Sequence, residues 1–316
     1  MDGTRIVVGV DGSATSQEAL RWAVAIGEAL GAEVVAIHAL GLLDRWLDPD
    51  ASARSWRRTL SALVEQTWCA PFAGSPATPR VEVHDGDPVD VLLGAAENEH
   101  ADLLVVGSRG VGNRQALALG STSLRVLQAA RVPVLVVPAL RPGDVPAAGL
   151  RLRHLLVGVD RSAASRTALE LAADVAAALG GSLSVLEVVE FVEPFPLPDP
   201  SRDAGGGGER SPGPTLALVE DEVRDIRARG VGVQVIVRTG DPARTLLEVA
   251  DDVDADLVVV GTRGRGGPAE LLLGSVARTV ADRARRPTLV VPAAAGARRL
   301  RRAGERLERQ PAGMRS

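Results

Sequence analysis

Lysine is absent from the chain, since all 36 basic residues among its 316 are arginine. Without lysine the protein cannot form a Schiff base with a carbonyl substrate, and it cannot carry a P-loop lysine. Cysteine is nearly absent too, because Cys69 stands alone. An intramolecular disulfide is therefore excluded, which fits a reducing compartment, and Cys69 is interpreted as a packed thiol rather than a nucleophile.

Signals for a membrane, a metal or a nucleic acid are missing as well. No apolar run is long enough to span a bilayer, and MDGTRIVVGVD at the start leads into a strand-like segment without an apolar signal region. The four histidines lack metal-ligand spacing. The net charge is −4, and only the segment 298–316 is basic. We therefore expect a cytoplasmic protein that contacts neither a membrane nor a nucleic acid.

What the sequence does contain is a long internal repeat. RIVVGVDGS at 5–13 matches HLLVGVDRS at 154–162, and VPVLVVP at 132–138 matches RPTLVVP at 286–292. Each copy covers about half the chain, which is too long for a solenoid unit and indicates a duplicated domain. The predicted divisions are a first domain at 1–140, a linker at 141–152, a second domain at 153–297 and a basic tail at 298–316.

Within each copy, apolar strands alternate with helical segments. Thr15 and Glu18 are spaced as a capping box for the first helix, Gly31 is its predicted stop, and Ser121 is the predicted cap of a later helix. Five strands joined by crossover helices predict an α/β fold of two tandem doubly wound domains. Each domain would hold a five-stranded parallel sheet in the order 3-2-1-4-5, with helices on both faces. The predicted strands cover residues 6–10, 34–39, 81–84, 103–106 and 134–137 in the first copy and 155–159, 183–188, 233–237, 257–260 and 288–291 in the second.

The last strand of each copy is apolar and lies at the edge of its predicted sheet. Unpaired backbone at a sheet edge invites association with another strand. We therefore predict that the two halves pair these edges within one chain, as a pseudo-dimer around a pseudo-twofold axis. A homodimer of two such chains is a further hypothesis.

A glycine pattern occurs once in each copy, as GSRGVGNRQALALGS at 107–121 and GTRGRGGPAELLLGS at 261–275. In the predicted strand order, Asp11 after strand one lies beside Gly107 after strand four, at the crevice where such sheets bind ligands. Glycines let backbone N–H groups approach phosphates, and Gly120 with Ser121 opens a helix whose N-terminus suits them. A carboxylate such as Asp11 can accept hydrogen bonds from a ribose diol.

This constellation resembles the ATP-binding motif of the universal stress protein family, Gly-x2-Gly-x9-Gly-(Ser/Thr), and both copies match it at every fixed position. The resemblance extends over both halves, including GVDGS, GDP and the late apolar strand with its closing proline. It implies a stress-response regulator that binds ATP in each domain, with Mg²⁺ as a possible companion of the phosphates.

The resemblance also implies which residues contact the adenine nucleotide. The strand-one aspartates would contact ribose, the strand-one glycines would let the backbone approach, and Ala39 and Val188 would meet adenine through the backbone. The first site would comprise Gly9, Asp11, Ala39, Gly107, Arg109, Gly110, Gly112, Gly120, Ser121 and Thr122. The second site would comprise Gly158, Asp160, Val188, Gly261, Arg263, Gly264, Gly266, Gly274, Ser275 and Val276.

Several assignments have alternatives. The Asp11 carboxylate could serve only as a charge at a helix N-terminus, and the arginine after each first motif glycine could clamp phosphate or be solvated. In the second copy Arg161 replaces Gly12, where it could contact phosphate or narrow the mouth of the site, and Glu187 replaces His38 beside the adenine position.

Rival functions are distinguished by their motifs. A dinucleotide oxidoreductase would carry Gly-x-Gly-x-x-Gly after strand one, and an ATP pyrophosphatase would carry SGGxDS there; the chain has GVDGSATS. A dedicated hydrolase needs a placed base or metal cluster, and nothing beyond the two aspartates offers one. We therefore expect no catalytic residues. The alternatives are a slow ATPase, or a nucleotide-free dimerisation or adaptor module with vestigial phosphate cradles.

Overall fold

The computed structural model of the protein describes residues 3–40, 53–110, 119–139, 152–190, 213–264 and 273–293. The basic tail, and the linker except for residue 152, lie outside these ranges. No helix in the described segments combines the length and apolar character that crossing a membrane requires.

Within the described residues, ten strands form one continuous sheet, five from each half of the chain. The first half contributes β1 (Arg5–Gly9), β2 (Glu33–Leu40), β3 (Arg80–Asp85), β4 (Leu103–Gly107) and β5 (Val134–Val137). The second half contributes β6 (His154–Val159), β7 (Ser182–Val189), β8 (Gly232–Thr239), β9 (Leu257–Gly261) and β10 (Thr288–Val291).

Helices connect the strands in both halves. Those of the first half are α1 (Ala14–Leu30), α2 (Ala53–Leu63), α3 (Pro88–Asn98) and α4 (Ser121–Ala129). A π-helical turn (Val64–Trp68) continues α2. Those of the second half are α5 (Ala163–Leu179), α6 (Gly213–Glu222), α7 (Arg224–Ala228), α8 (Pro242–Asp252) and α9 (Ser275–Arg283).

The sheet order is β3-β2-β1-β4-β5-β10-β9-β6-β7-β8. Each half thus has the predicted order 3-2-1-4-5, and all pairs within a half are parallel. Successive strand residues face opposite sides: Ile6 and Val8 join the core beneath α1 and α5, whereas Val7 joins the core beneath α3, α4, α8 and α9. Both faces are covered, which explains the continuous apolar runs.

The two halves join where β5 pairs antiparallel with β10. Leu135 lies opposite Leu289, and these leucines occupy the same position of the repeat, as local twofold symmetry requires. All four residues of each strand are buried, and Leu135 and Leu289 belong to one core cluster. The predicted intrachain pairing of the last strands is therefore confirmed.

The ends of α1 bear out one sequence prediction and contradict another. Gly31 ends the helix in the left-handed conformation (φ 62°), as predicted. The capping box of Thr15 and Glu18 is wrong, because Ser13 caps the helix: its hydroxyl oxygen accepts from the Ser16 N–H at 3.2 Å. Thr15 lies inside the first turn, where its hydroxyl contacts a different loop.

Candidate functional site

In both halves the aspartate after the first strand faces the second motif glycine after the fourth strand. A Cβ added to Gly110 would lie 2.7 Å from Asp11 Oδ2, and one added to Gly264 would lie 2.5 Å from Asp160 Oδ2. Both glycines are exposed, so their backbone is open to a ligand. The neighbouring carboxyl ends of β1 and β4, and of β6 and β9, therefore form one crevice in each half.

The loop before α1 holds the first site in shape. Asp11 Oδ1 accepts from the Ser13 N–H at 3.0 Å, which places its other oxygen toward Gly110. The hydroxyls of Ser13 and Thr15 both donate to the Arg109 carbonyl. Asp11 thus also holds the turn that leads into α1.

The second half repeats this arrangement with fewer hydroxyls. Ser162 N–H donates to Asp160 Oδ1 at 3.1 Å, and the Ser162 hydroxyl donates to the Arg263 carbonyl at 3.1 Å. Ala164 stands where the first half has Thr15. Sequence reasoning missed the positioning role of these serines, although the polar run after each aspartate (GSATS and RSAAS) was a visible signal.

A backbone hydrogen bond closes the base of the loop that follows β4 and of the loop that follows β9. The Gly120 N–H donates to the Ser108 carbonyl at 2.8 Å, and the Gly274 N–H donates to the Thr262 carbonyl at 2.7 Å. Gly120 is itself the N-cap of α4, so the prediction that Ser121 caps this helix is wrong. Because glycine has no side-chain acceptor, the N-cap residue makes no side-chain hydrogen bond to the first N–H groups of α4. These groups lie at the positive end of the helix dipole.

Ser121, Thr122, Ser275 and Val276 lie in the first turns of α4 and α9. Ser121 and Ser275 are exposed and adjoin the loop, as a phosphate-binding role requires. The predicted residues Gly112 and Gly266 lie outside the described ranges.

The first motif glycine of each half and the strand-one glycines lie close to other parts of the protein. A Cβ on Gly107 would lie 2.7 Å from the Thr15 carbonyl carbon and 2.9 Å from the Ser16 nitrogen, so this glycine lets α1 lie close to β4. Gly261 stands equally close to the backbone of α5. On the first strands, Gly9 faces Leu92 of α3 and Gly158 faces Leu246 of α8.

Next to the first site, the rings of His38 and Trp68 form an aromatic wall. Gly12 has a left-handed backbone (φ 80°), and a Cβ there would lie 2.5 Å from Trp68 Cζ2. Trp68 stands edge-on to His38, with ring centroids 5.5 Å apart. His38 Nδ1 lies 2.7 Å from the Val10 carbonyl oxygen, and because a carbonyl only accepts, Nδ1 donates. Ala39 follows His38 at the end of β2.

Next to the second site, an ion pair replaces that wall. Arg161 keeps the left-handed backbone of Gly12 (φ 62°), and its Nη2 donates to Glu187 Oε1 at 2.6 Å. The Glu187 residue is 5% exposed. Val188 follows Glu187 near the end of β7. Of the two roles proposed for Arg161, phosphate contact and narrowing of the mouth, the structure shows neither directly, because the guanidinium is paired with Glu187.

Glu222, the last residue of α6, adds a further carboxylate to this region. Both of its carboxylate oxygens are buried and lack a hydrogen-bond partner in the described segments. Burial raises the pKa of Glu222; the positive charges of Arg166 and Arg161 oppose the shift, and the negative charges of Glu187 and Asp160 add to it. The second site thus borders on a crowded set of carboxylates. Across the described parts of the chain, no group of three or more metal-ligating side chains is placed to hold an ion.

Comparison with known proteins agrees with this architecture. The model of the universal stress protein family matches residues 3–138 and again residues 151–292. Universal stress protein Rv2623 of Mycobacterium tuberculosis is 31% identical over 300 residues, covering 90% of this chain and 95% of that protein. A universal stress protein of Mycolicibacterium smegmatis is 33% identical over 296 residues, covering 90% of this chain and 96% of that protein.

A solved structure shares the fold. The crystal structure of a universal stress protein from Archaeoglobus fulgidus matches with a TM-score of 0.69 and 22% identity, covering 93% of this chain and all of that one. The chain therefore belongs to the universal stress protein family, whose members act in the stress response, and it carries two family domains in tandem.

Proposed function

We propose that the protein is a cytoplasmic regulator that binds one adenine nucleotide, ATP, in each half, at the two crevices lined by Asp11 and Gly110 and by Asp160 and Gly264. The observation that carries this proposal is the duplicated approach of a strand-one carboxylate to a bare, exposed backbone after strand four, at 2.7 and 2.5 Å from the two Cβ positions. A ribose diol and a phosphate chain would find complementary groups at these two places.

Three further features support a phosphate at this position. The loop backbone is anchored on both sides, by hydroxyls at the Arg109 carbonyl and by the Gly120 N–H at its base. The N-terminus of α4, whose first N–H groups have no partner within the helix, adjoins the same loop, as does that of α9 in the second half. Arg109 and Arg263 lie on these loops and would add positive charge beside the phosphates.

The proposed activity is nucleotide binding with slow or no hydrolysis. The crevice supplies backbone donors and a helix dipole, which bind phosphate without activating water. Asp11 and Asp160 each have one oxygen engaged by a serine N–H, in keeping with a binding role rather than that of a general base. Mg²⁺ would enter with the nucleotide through its phosphate oxygens.

The test is the stoichiometry of binding. Titration of ATP into the purified, nucleotide-stripped protein by calorimetry should give two sites per chain. Gly110→Val should remove the first site and Gly264→Val the second, since each Cβ would collide with the facing aspartate. A stoichiometry of zero would refute the proposal and favour an adaptor module with vestigial cradles. Turnover typical of a metabolic enzyme that is lost in these variants would refute the regulatory role.

A further inference from the structure

The two crevices differ on the side opposite the phosphate loop. In the second half, β6 lies between β9, which leads into the phosphate loop, and β7, which carries Glu187. Arg161 follows β6 and reaches toward β7 to pair with Glu187. Its guanidinium is therefore held on the β7 side of the crevice.

In the second half the Arg161–Glu187 ion pair begins at the backbone position beside which the first half has the Trp68 ring. In the first half the space beside the Gly12 Cα is filled by Trp68, which is why a Cβ there would lie 2.5 Å from the indole. In the second half the Arg161 side chain leaves from the same backbone position. One crevice is thus bounded by an aromatic pair and the other by a buried arginine–glutamate pair.

Around the Arg161–Glu187 pair, some buried polar atoms lack hydrogen-bond partners among the described residues. Arg161 Nε is buried without a partner, and so are both oxygens of Glu222, as far as the described residues extend. Drawing Arg161 toward a phosphate would remove its positive charge from Glu187 and Glu222. Separating a charge from a buried partner is costly, because little water replaces the lost contact.

Building on the proposed ATP sites, we infer that Arg161 and Glu187 determine the affinity of the second site. Their ion pair makes this site the weaker of the two. A base that enters the first crevice packs against the rings of His38 and Trp68, which favour stacking and dispersion contacts. A base that enters the second must pack against a desolvated ion pair or open it.

ATP titration of single-site variants tests this inference. Gly110→Val leaves only the second site, Gly264→Val leaves only the first, and the dissociation constant of the second should be larger by about tenfold or more. In the Gly110→Val background, the double variant Arg161→Gly and Glu187→His gives the second site the residue types of Gly12 and His38. It should tighten ATP binding at the second site about tenfold. Glu187→Gln in that background should tighten it by less, because a neutral amide still holds the guanidinium.

The matched control is Arg229→Gln, which breaks an exposed pairing with Glu170 and Asp174 and should leave both affinities unchanged. Thermal unfolding checks that each variant is folded, and Glu187→Gln keeps the test open if the double exchange does not fold. Equal affinities at the two sites, unchanged by the exchange, would overturn this inference while leaving two ATP sites intact. Absence of ATP binding in both single-site variants and in the parent protein would refute the proposed function itself.

Discussion

Two glycines of one motif should have separable effects, one on stability and one on binding. Gly107→Ala would place a Cβ 2.6 Å from Thr15 Oγ1, 2.7 Å from the Thr15 carbonyl carbon and 2.9 Å from the Ser16 nitrogen. Two of these atoms are helix backbone, so α1 must shift. Overpacking of this kind costs about 1–3 kcal/mol. For a protein of this size we expect the melting temperature to fall by about 2–12 °C.

Gly110→Ala should behave in the opposite way. Its Cβ would approach Asp11 Oδ2 at 2.7 Å and would otherwise lie 3.9 Å from the nearest atom, Asp11 Cγ. That oxygen is the end of a rotatable side chain, so stability should change by no more than about 0.5 kcal/mol. The displaced carboxylate and the covered backbone should weaken ATP binding at the first site.

Scanning calorimetry and ATP titration of both variants measure this separation. Gly94→Ala on α3 is the control, because no heavy atom lies within 4 Å of its added Cβ. Replacing a mid-helix glycine there should stabilise the protein by about 0.5–1 kcal/mol. The reasoning is refuted if Gly107→Ala has the same melting temperature as the parent protein, or if Gly110→Ala loses as much stability as Gly107→Ala.

Three further predictions concern single side chains. Burial and the nearby Glu65 raise the pKa of Cys69 to about 11, and the residue is 6% exposed. Iodoacetamide at pH 8 should therefore label this thiol only after unfolding in guanidinium, and prompt labelling of the native protein would contradict this. Ser123→Ala removes a buried hydrogen bond of 2.7 Å to the Gly107 carbonyl and should cost about 1 kcal/mol in urea unfolding, whereas no change would show that this bond contributes nothing. Arg161→Gly should cost up to about 3–5 kcal/mol because it takes the cationic partner from buried Glu187, and adding Glu187→His should recover most of it; an equal loss in both variants would contradict the pairing.

The fold could be predicted because its signals are local and occur twice. Strands covered on both faces read as apolar runs such as LLVVG and LVVVG, and Gly31 ends α1 in the way that its residue type favours. The parallel, doubly wound arrangement followed from the usual crossover rule. The pairing of β5 with β10 followed from two apolar edges in one chain.

The details of the site could not be predicted, because they depend on residues far apart in sequence. GSATS offers three hydroxyls to cap α1, and only the docking of Arg109 against this loop makes Ser13 the cap and assigns Thr15 to a carbonyl 94 residues away. The partner of Arg161 was equally hidden. The sequence placed Glu187 near the base but could not show that the two side chains pair with each other.

The antiparallel pairing of β5 with β10, the seam between the two halves, leads to a last prediction about the halves produced separately. At its centre Leu135 faces Leu289, the leucine of the same repeat position, so the edge of β5 is nearly self-complementary. A chain of residues 1–140 would leave the apolar edge of β5 unpaired, and an unpaired apolar edge recruits another strand. We expect this half to form a homodimer in which β5 pairs with its own copy, with Leu135 at the twofold axis. Added residues 152–297 should convert it into a one-to-one complex, because pairing with β10 restores the native seam. Multi-angle light scattering on the separate and mixed halves measures both outcomes. A folded half that stays monomeric and does not bind the other half would show that the seam contributes little to holding the two domains together.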